Sequence, residues 1–274
     1  MAPLGIGIGI GSSFFSPPSG GGDLPLILDL YPNAEAAYSL RKLRTAYSGS
    51  AIRVRRASDN TEQDIGFDGN NELDTTALTT FCSGTNGFIT TWYDQSGGLN
   101  NATQTTAVNQ PQIVNSGNLI TTNGKAALSF DGNNDDFNVP VGAYSVTDFY
   151  YVIDTNDTGY VYPVYGANAY GFVAILGSTD PITSQNFGSP LLYSNGLLRV
   201  SSTRNAVYNA QNGYRLNVHE GANTSGWIGG YKLFNYGGGF AMSGNVQEII
   251  IYPSNQSSNR IGIESNINLH YNIF

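Results

Sequence analysis

The chain has 274 residues, a formal net charge of −8 and 12% charged residues, about half the share in ordinary globular domains. Its 34 glycines and 12% aromatics describe short strands joined by tight turns around a real core, which argues against a disordered chain. The acidic balance excludes nucleic acid as a partner, and no apolar run reaches the ~18 residues of a membrane span. One cysteine excludes an internal disulfide and a cysteine-based zinc site.

In chain order, residues 1–22 read MAPLGIGIGIGSSFFSPPSGGG. They lack the basic start and continuous apolar centre of a signal peptide. If extended, the Gly-Ile alternation puts Ile6, Ile8 and Ile10 on one face, with Phe14 and Phe15 following. We expect an anchoring arm over 1–22 and one folded unit over 23–274, divided at Pro17, Pro18 and the glycines 20–22. Between Asp29 and Ser48 a short helix is expected, with Asn33 as cap and Leu40 and Leu43 on one face. Ile52 and Val54 alternate with Arg53 and Arg55, which predicts a strand. Asp74 can cap a helix through Leu78 and Phe81 that stops at Gly84. Strands are then expected near 88–93, 112–114, 127–130, 149–154, 171–176, 197–201, 214–220, 226–234 and 244–252. Asn-Gly and Asp-Gly pairs at 123, 131, 195 and 212 mark turns between them. Ile263, Ile267 and Tyr271 form one apolar stripe and predict a helix within 254–274. The expected fold is all-β, a jelly-roll sandwich with a few short helices.

Six of the twelve basic residues lie between Ala37 and Gly97: Arg41, Lys42, Arg44, Arg53, Arg55 and Arg56. The segments AYSLRKL, AIRVRRASDN, QDIGF and FCSGTNGFITTWYDQSG resemble the catalytic domain of α-L-arabinofuranosidase B. The resemblance rests on Tyr38, Ser39, Arg41, Arg53, Arg55, Arg56, Asp64, Phe81, Cys82 and the run Tyr93 to Gly97. It implies a concanavalin A-like β-sandwich. The C-terminal stretch from Gly244 to Phe274 and the piece Leu128 to Gly132 look like laminin-G-like modules of bacteriophage structural proteins.

Glycoside hydrolysis needs two carboxylates, and the arabinofuranosidase resemblance implies that they lie downstream of YDQSG. Asp148, Asp154, Asp157, Asp180, Glu220, Glu248 and Glu264 are available there, none in an Asp-x-Glu arrangement. No enzymatic activity is therefore expected. The expected function is a bacteriophage virion surface protein, such as a head fibre, capsid decoration or tail-associated subunit. It is expected at the virion surface, held to other virion proteins by its arm and associated as a homo-oligomer such as a trimer. The alternatives are an arabinofuranosidase-like glycoside hydrolase and a soluble carbohydrate-binding module.

The candidate residues follow from chemistry. Arg53, Arg55 and Arg56 offer forks of donors, and Asp64 and Asp94 lie close enough in sequence to form one ionic network with them. Trp92, Tyr160, Tyr162, Tyr165 and Tyr170 suit glycan stacking or core packing alike. Asp131, Asn133 and Asp135 have the oxygen-rich spacing of a calcium loop, or of an ordinary Asx turn. His219, His270 and Cys82 are expected to be structural. No other cofactor is expected.

Overall fold

The structure is a computed structural model and describes residues 25–155, 160–161, 164–166, 170–171, 174–175, 177–179, 187–200, 203–227, 229–235 and 241–274. The arm and its anchor candidates Ile6, Ile8, Ile10, Phe14 and Phe15 lie outside the described residues.

The molecule is an all-β sandwich with antiparallel pairing throughout its named ladders. Its back sheet is built on Thr147–Thr155, which pairs on one side with Gly213–Ala222 and on the other with Ser243–Tyr252. Leu191–Ser194 and then Leu197–Leu198 extend it beyond Gly213–Ala222. Ala36–Ser39 and Leu128–Asp131 extend it beyond Ser243–Tyr252. The front sheet runs from Glu62–Ile65 through Ile52–Arg56 and Gly87–Trp92 to Ala102–Thr103. It continues through Phe137–Val139 and Tyr231–Leu233 to Val164–Gly166.

Side-chain alternation explains the layers. Phe149, Tyr151 and Ile153 point into the core between the sheets, with Trp92, Phe130 and Phe137. Tyr150 and Val152 point the other way, into a second core capped by the C-terminal helix Arg260–Tyr271. A strand buried on both faces reads as a continuous apolar run, and FYYVI and EIII are such runs. The stripe Ile263, Ile267 and Tyr271 is buried against that outer face.

Local chemistry sets several boundaries. Asp74 accepts the Ala77 N–H at 2.9 Å and starts the helix Thr75–Phe81, and Gly84 follows at φ +69°. The helix expected between 29 and 48 is reduced to Ile27–Leu30. Ala36–Ser39 is instead a fully buried strand on the edge of Ser243–Tyr252, so the hydrogen bonds offered by the sheet outweigh local propensity. Asn33 is left-handed at φ 68° and caps no helix. The helix Arg204–Gln211, capped by Thr203 Oγ1, and the strand Leu191–Ser194 were not expected.

Gly244 has φ +142°, and a Cβ there would lie 2.4 Å from the Asp154 carbonyl oxygen. G244A is therefore expected to cost about 3 kcal/mol from combined strain and overlap. Thermal and urea unfolding of the variant measure it.

Candidate functional site

The basic residues of the 37–97 segment divide between surface and interior. Arg53 faces Asp64 across the ladder and binds it through two bonds of 2.7 and 2.9 Å, while Tyr93 donates to the same carboxylate at 2.7 Å. The Arg53 fork, then burial opposing it, and then Tyr93 leave the Asp64 carboxyl below its ordinary value. Arg55 donates to Gln110 and Asn60 and lies over the Phe88 ring. Arg56 forks onto Asp59 and lies over the Phe81 ring.

Asp94 does not join them. It accepts the backbone N–H groups of Ala37, Ser96 and Asn100 and the Ser96 hydroxyl, all within 3.0 Å. Four local donors fill a carboxylate's acceptor sites, so an arginine partner is not needed. The neighbouring Gln95 is equally structural. Its amide spans the Ser39 and Arg41 carbonyls and the Leu43 N–H.

The interior pair joins residues that sequence spacing did not connect. Arg41 Nε and Nη2 bind Glu248 at 2.8 and 3.0 Å, and Arg41 Nη1 donates to Asn266 at 3.0 Å. Ser39 Oγ donates to Glu248 at 2.8 Å, and the Tyr271 hydroxyl lies 3.2 Å away from it. Glu248 is 1% exposed. The available signal was a lone charge inside the run VQEIII, which demands a buried partner.

Two cavities of about 230 and 290 Å³ adjoin Arg41, and Glu72 and His270 line both with it. Lys42, Asn71 and Leu269 add to the first, Asp68, Lys125 and Leu73 to the second. These volumes lie at or below the low end for small-molecule sites. Lys125 Nζ holds Glu72 Oε1 at 2.9 Å, and His270 Nδ1 lies 3.6 Å from the same oxygen. Burial, then the Arg41 and Lys125 charges, pull His270 far below its usual range, so its ring is neutral. Asp68 accepts the backbone N–H groups of Glu72 and Asn70, which holds its carboxyl below the ordinary value.

The other expected residues are placed differently. Trp92 is fully buried and packs on Tyr38 and Phe137, so it is a core ring and not a glycan platform. Tyr162 lies outside the described residues, and Tyr160, Tyr165 and Tyr170 are described as strand backbone alone. The loop with Asp131, Asn133 and Asp135 closes on itself. Asp131 accepts the Asn133 N–H at 2.8 Å, and Asp135 accepts the Asp131 N–H at 2.9 Å. Burial first, opposed by that bond and reinforced by the Asp131 and Asp136 charges, pushes Asp135 up to about 7. Among the described residues no group of three or more His, Cys, Asp or Glu is placed to hold a metal ion. His219 is buried, takes bonds from Gln211 and Tyr151 on Nε2, and is pulled down to about 3 by burial.

Of the downstream acids, Glu248 is committed to Arg41. Asp148, Glu220 and Glu264 are buried at the start of the C-terminal helix, the last of them within it. Asp157 and Asp180 lie outside the described residues. Asp68 and Glu72, upstream of YDQSG, are the carboxylates that line the two cavities beside Arg41.

The buried and exposed pairs differ in what their loss costs. R41M keeps much of the side-chain volume but strands the Glu248 carboxylate, at an expected cost of about 3–5 kcal/mol. R53A, in a pair whose side chains are 43% and 39% exposed, is expected to cost under about 1 kcal/mol. Equilibrium unfolding of the two variants makes the comparison.

The family described as "Alpha-L-arabinofuranosidase B, catalytic" matches residues 29–171, which hold both the 37–97 segment and most of the cavity walls. Among solved structures, a GH54 α-L-arabinofuranosidase soaked with a cyclic sulfate inhibitor is similar at 16% identity and a TM-score of 0.47. An arabinofuranosidase complexed with arabinofuranosyl-α-1,2-xylobiose is similar at 18% identity and 0.47. A glutamate-to-glutamine mutant of a GH54 α-L-arabinofuranosidase soaked with 4-nitrophenyl α-L-arabinofuranoside is similar at 17% identity and 0.49. Each alignment covers 88% of this chain and 64% of the other. No curated protein matches. These findings correct the expectation of a non-enzymatic bacteriophage protein at the virion surface. The family match over residues 29–171 contains the arabinofuranosidase-like segments, and nothing found supports the phage-type module. That expectation rested on the C-terminal segment, the Gly-Ile arm and a missing Asp-x-Glu spacing, yet catalytic carboxylates need proximity in space, not in sequence. With the family matched over more than half its length, this chain belongs to the α-L-arabinofuranosidase B catalytic-domain family.

Proposed function

We propose that this chain is an arabinofuranosidase-like glycoside hydrolase that cleaves α-L-arabinofuranosyl linkages. The family match over residues 29–171 carries the reading. The chemistry asks for two carboxyl groups about a substrate-sized opening, one to donate a proton and one to attack or to activate water. Glu72 is the carboxylate that the cleft offers for one role. It stands on the wall shared by both cavities, and Lys125 and the Asp68-ordered turn hold it in place. Arg41, itself locked by Glu248, backs that wall and sets the register of the loop through its bridge to Glu72.

The test is release of 4-nitrophenol from 4-nitrophenyl α-L-arabinofuranoside by the purified protein. Turnover is expected, with E72Q lowering kcat by about 10²-fold or more, as for loss of a general acid or base. Absence of turnover by the unaltered chain removes the hydrolase reading. Full activity in E72Q keeps the reading but moves the chemistry out of this cleft, with D157N and D180N as the next variants.

A further inference from the structure

An excess of buried carboxylates lies where the C-terminal helix begins. Asp148 comes from the strand Thr147–Thr155, Glu220 from Gly213–Ala222, and Arg260 and Glu264 from the first turns of the helix. The three acids are 0%, 7% and 4% exposed, in that order. One guanidinium serves two of them. Arg260 Nη1 donates to Glu264 Oε2 at 2.5 Å, and its Nε lies 3.5 Å from Glu220 Oε2. The guanidinium also rests 3.8 Å from the centre of the Tyr193 ring. Asp148 ties down the flanking chain by accepting the Gly221 N–H at 2.6 Å and the Gln256 N–H at 2.7 Å. The fully buried Tyr150 lies within the field of the same three carboxylates and packs edge-on against Tyr252. Among the described residues the Tyr150 hydroxyl, Glu220 Oε2 and Glu264 Oε1 have no hydrogen-bond partner.

Three negative charges around one positive charge are costly to bury. Protonation removes the excess charge and turns an orphaned acceptor into a donor. We propose that Asp148, Glu220, Glu264 and Arg260 form a proton-operated latch that fastens the start of the C-terminal helix when protonated and loosens it when ionised. The same helix carries Asn266, Leu269 and His270 in the wall of the Arg41 cavities, so the latch governs one side of that cleft through a continuous element.

The direction of the pH effect follows from the folded state holding the Asp148 and Glu264 protons more tightly. Burial, against the two backbone bonds and with the Glu220 charge, pushes Asp148 up to about 6. Burial, against Arg260 and with Glu220, raises Glu264. Unfolded carboxyls ionise near pH 4. The contribution of the latch is therefore full below about pH 4 and is lost as pH rises through about 6.

Hydrogen exchange of the amides in 260–271, corrected for intrinsic chemistry and followed from pH 5 to 8, reads the latch without reference to hydrolysis. Protection in the unaltered protein is expected to fall about tenfold, one pKa unit's worth. In E220Q, which removes the charge felt by both other acids, that fall is expected to flatten, and Tm at pH 8 to rise by about 2 °C. E264Q gives a second variant with its fork to Arg260 weakened. Protection independent of pH, an unflattened fall in E220Q, or a lower Tm at pH 8 in both variants overturns the proposal in favour of ordinary ion pairs.

Discussion

Burial of the back sheet on both faces is the constraint from which most of this structure follows. Thr147–Thr155 and Ser243–Tyr252 have no solvent face in their central parts, because one side meets the front sheet and the other the C-terminal helix. Any charge carried by these strands must find its partner inside. Glu248 finds Arg41, Ser39 and Tyr271. Asp148 and Glu220 find backbone donors and the Arg260 guanidinium. The helix is thus held at one end by Arg260 on Glu220, at the other by Tyr271 and Asn266, with Ile263 and Ile267 between.

The same constraint positions the cleft. Arg41 is rigid because two of its guanidinium nitrogens grip Glu248 and the third grips Asn266. That leaves its neighbours to form the opening. Glu72 projects from a turn ordered by Asp68, Lys125 comes from the hairpin after Thr122, and His270 comes from the last turn of the helix. Elements distant in sequence meet at one small polar opening, the usual way that a sandwich acquires a site. Removal of Glu72 bears on chemistry, whereas removal of Arg41 bears first on the wall itself.

The surface arginines have a different part. Arg53 and Arg56 form forks with nearby acids and keep the front-sheet edge in register. The pairing of Arg53 with Asp64 was legible because the two lie on strands joined by a short turn, whereas Arg56 takes Asp59, outside the expected network. Asp94 was read into the same network and lies elsewhere. A carboxylate at a strand end is captured by the nearest backbone N–H groups before a flexible arginine reaches it.

The chain by itself determined the fold class. Short apolar runs, Asn-Gly and Asp-Gly turns and the stripe Ile263, Ile267 and Tyr271 specify a β-sandwich closed by a helix, because side-chain periodicity is a local property. It also carried the family in the segments from Tyr38 to Gly97. Tertiary structure alone decided the pairing of Arg41 with Glu248, the gathering of three acids around Arg260, and the strand at 36–39 in place of a helix. The physical reason is common to all three: burial and sheet pairing are settled by residues on other elements of the fold, and these override what neighbours in sequence prefer.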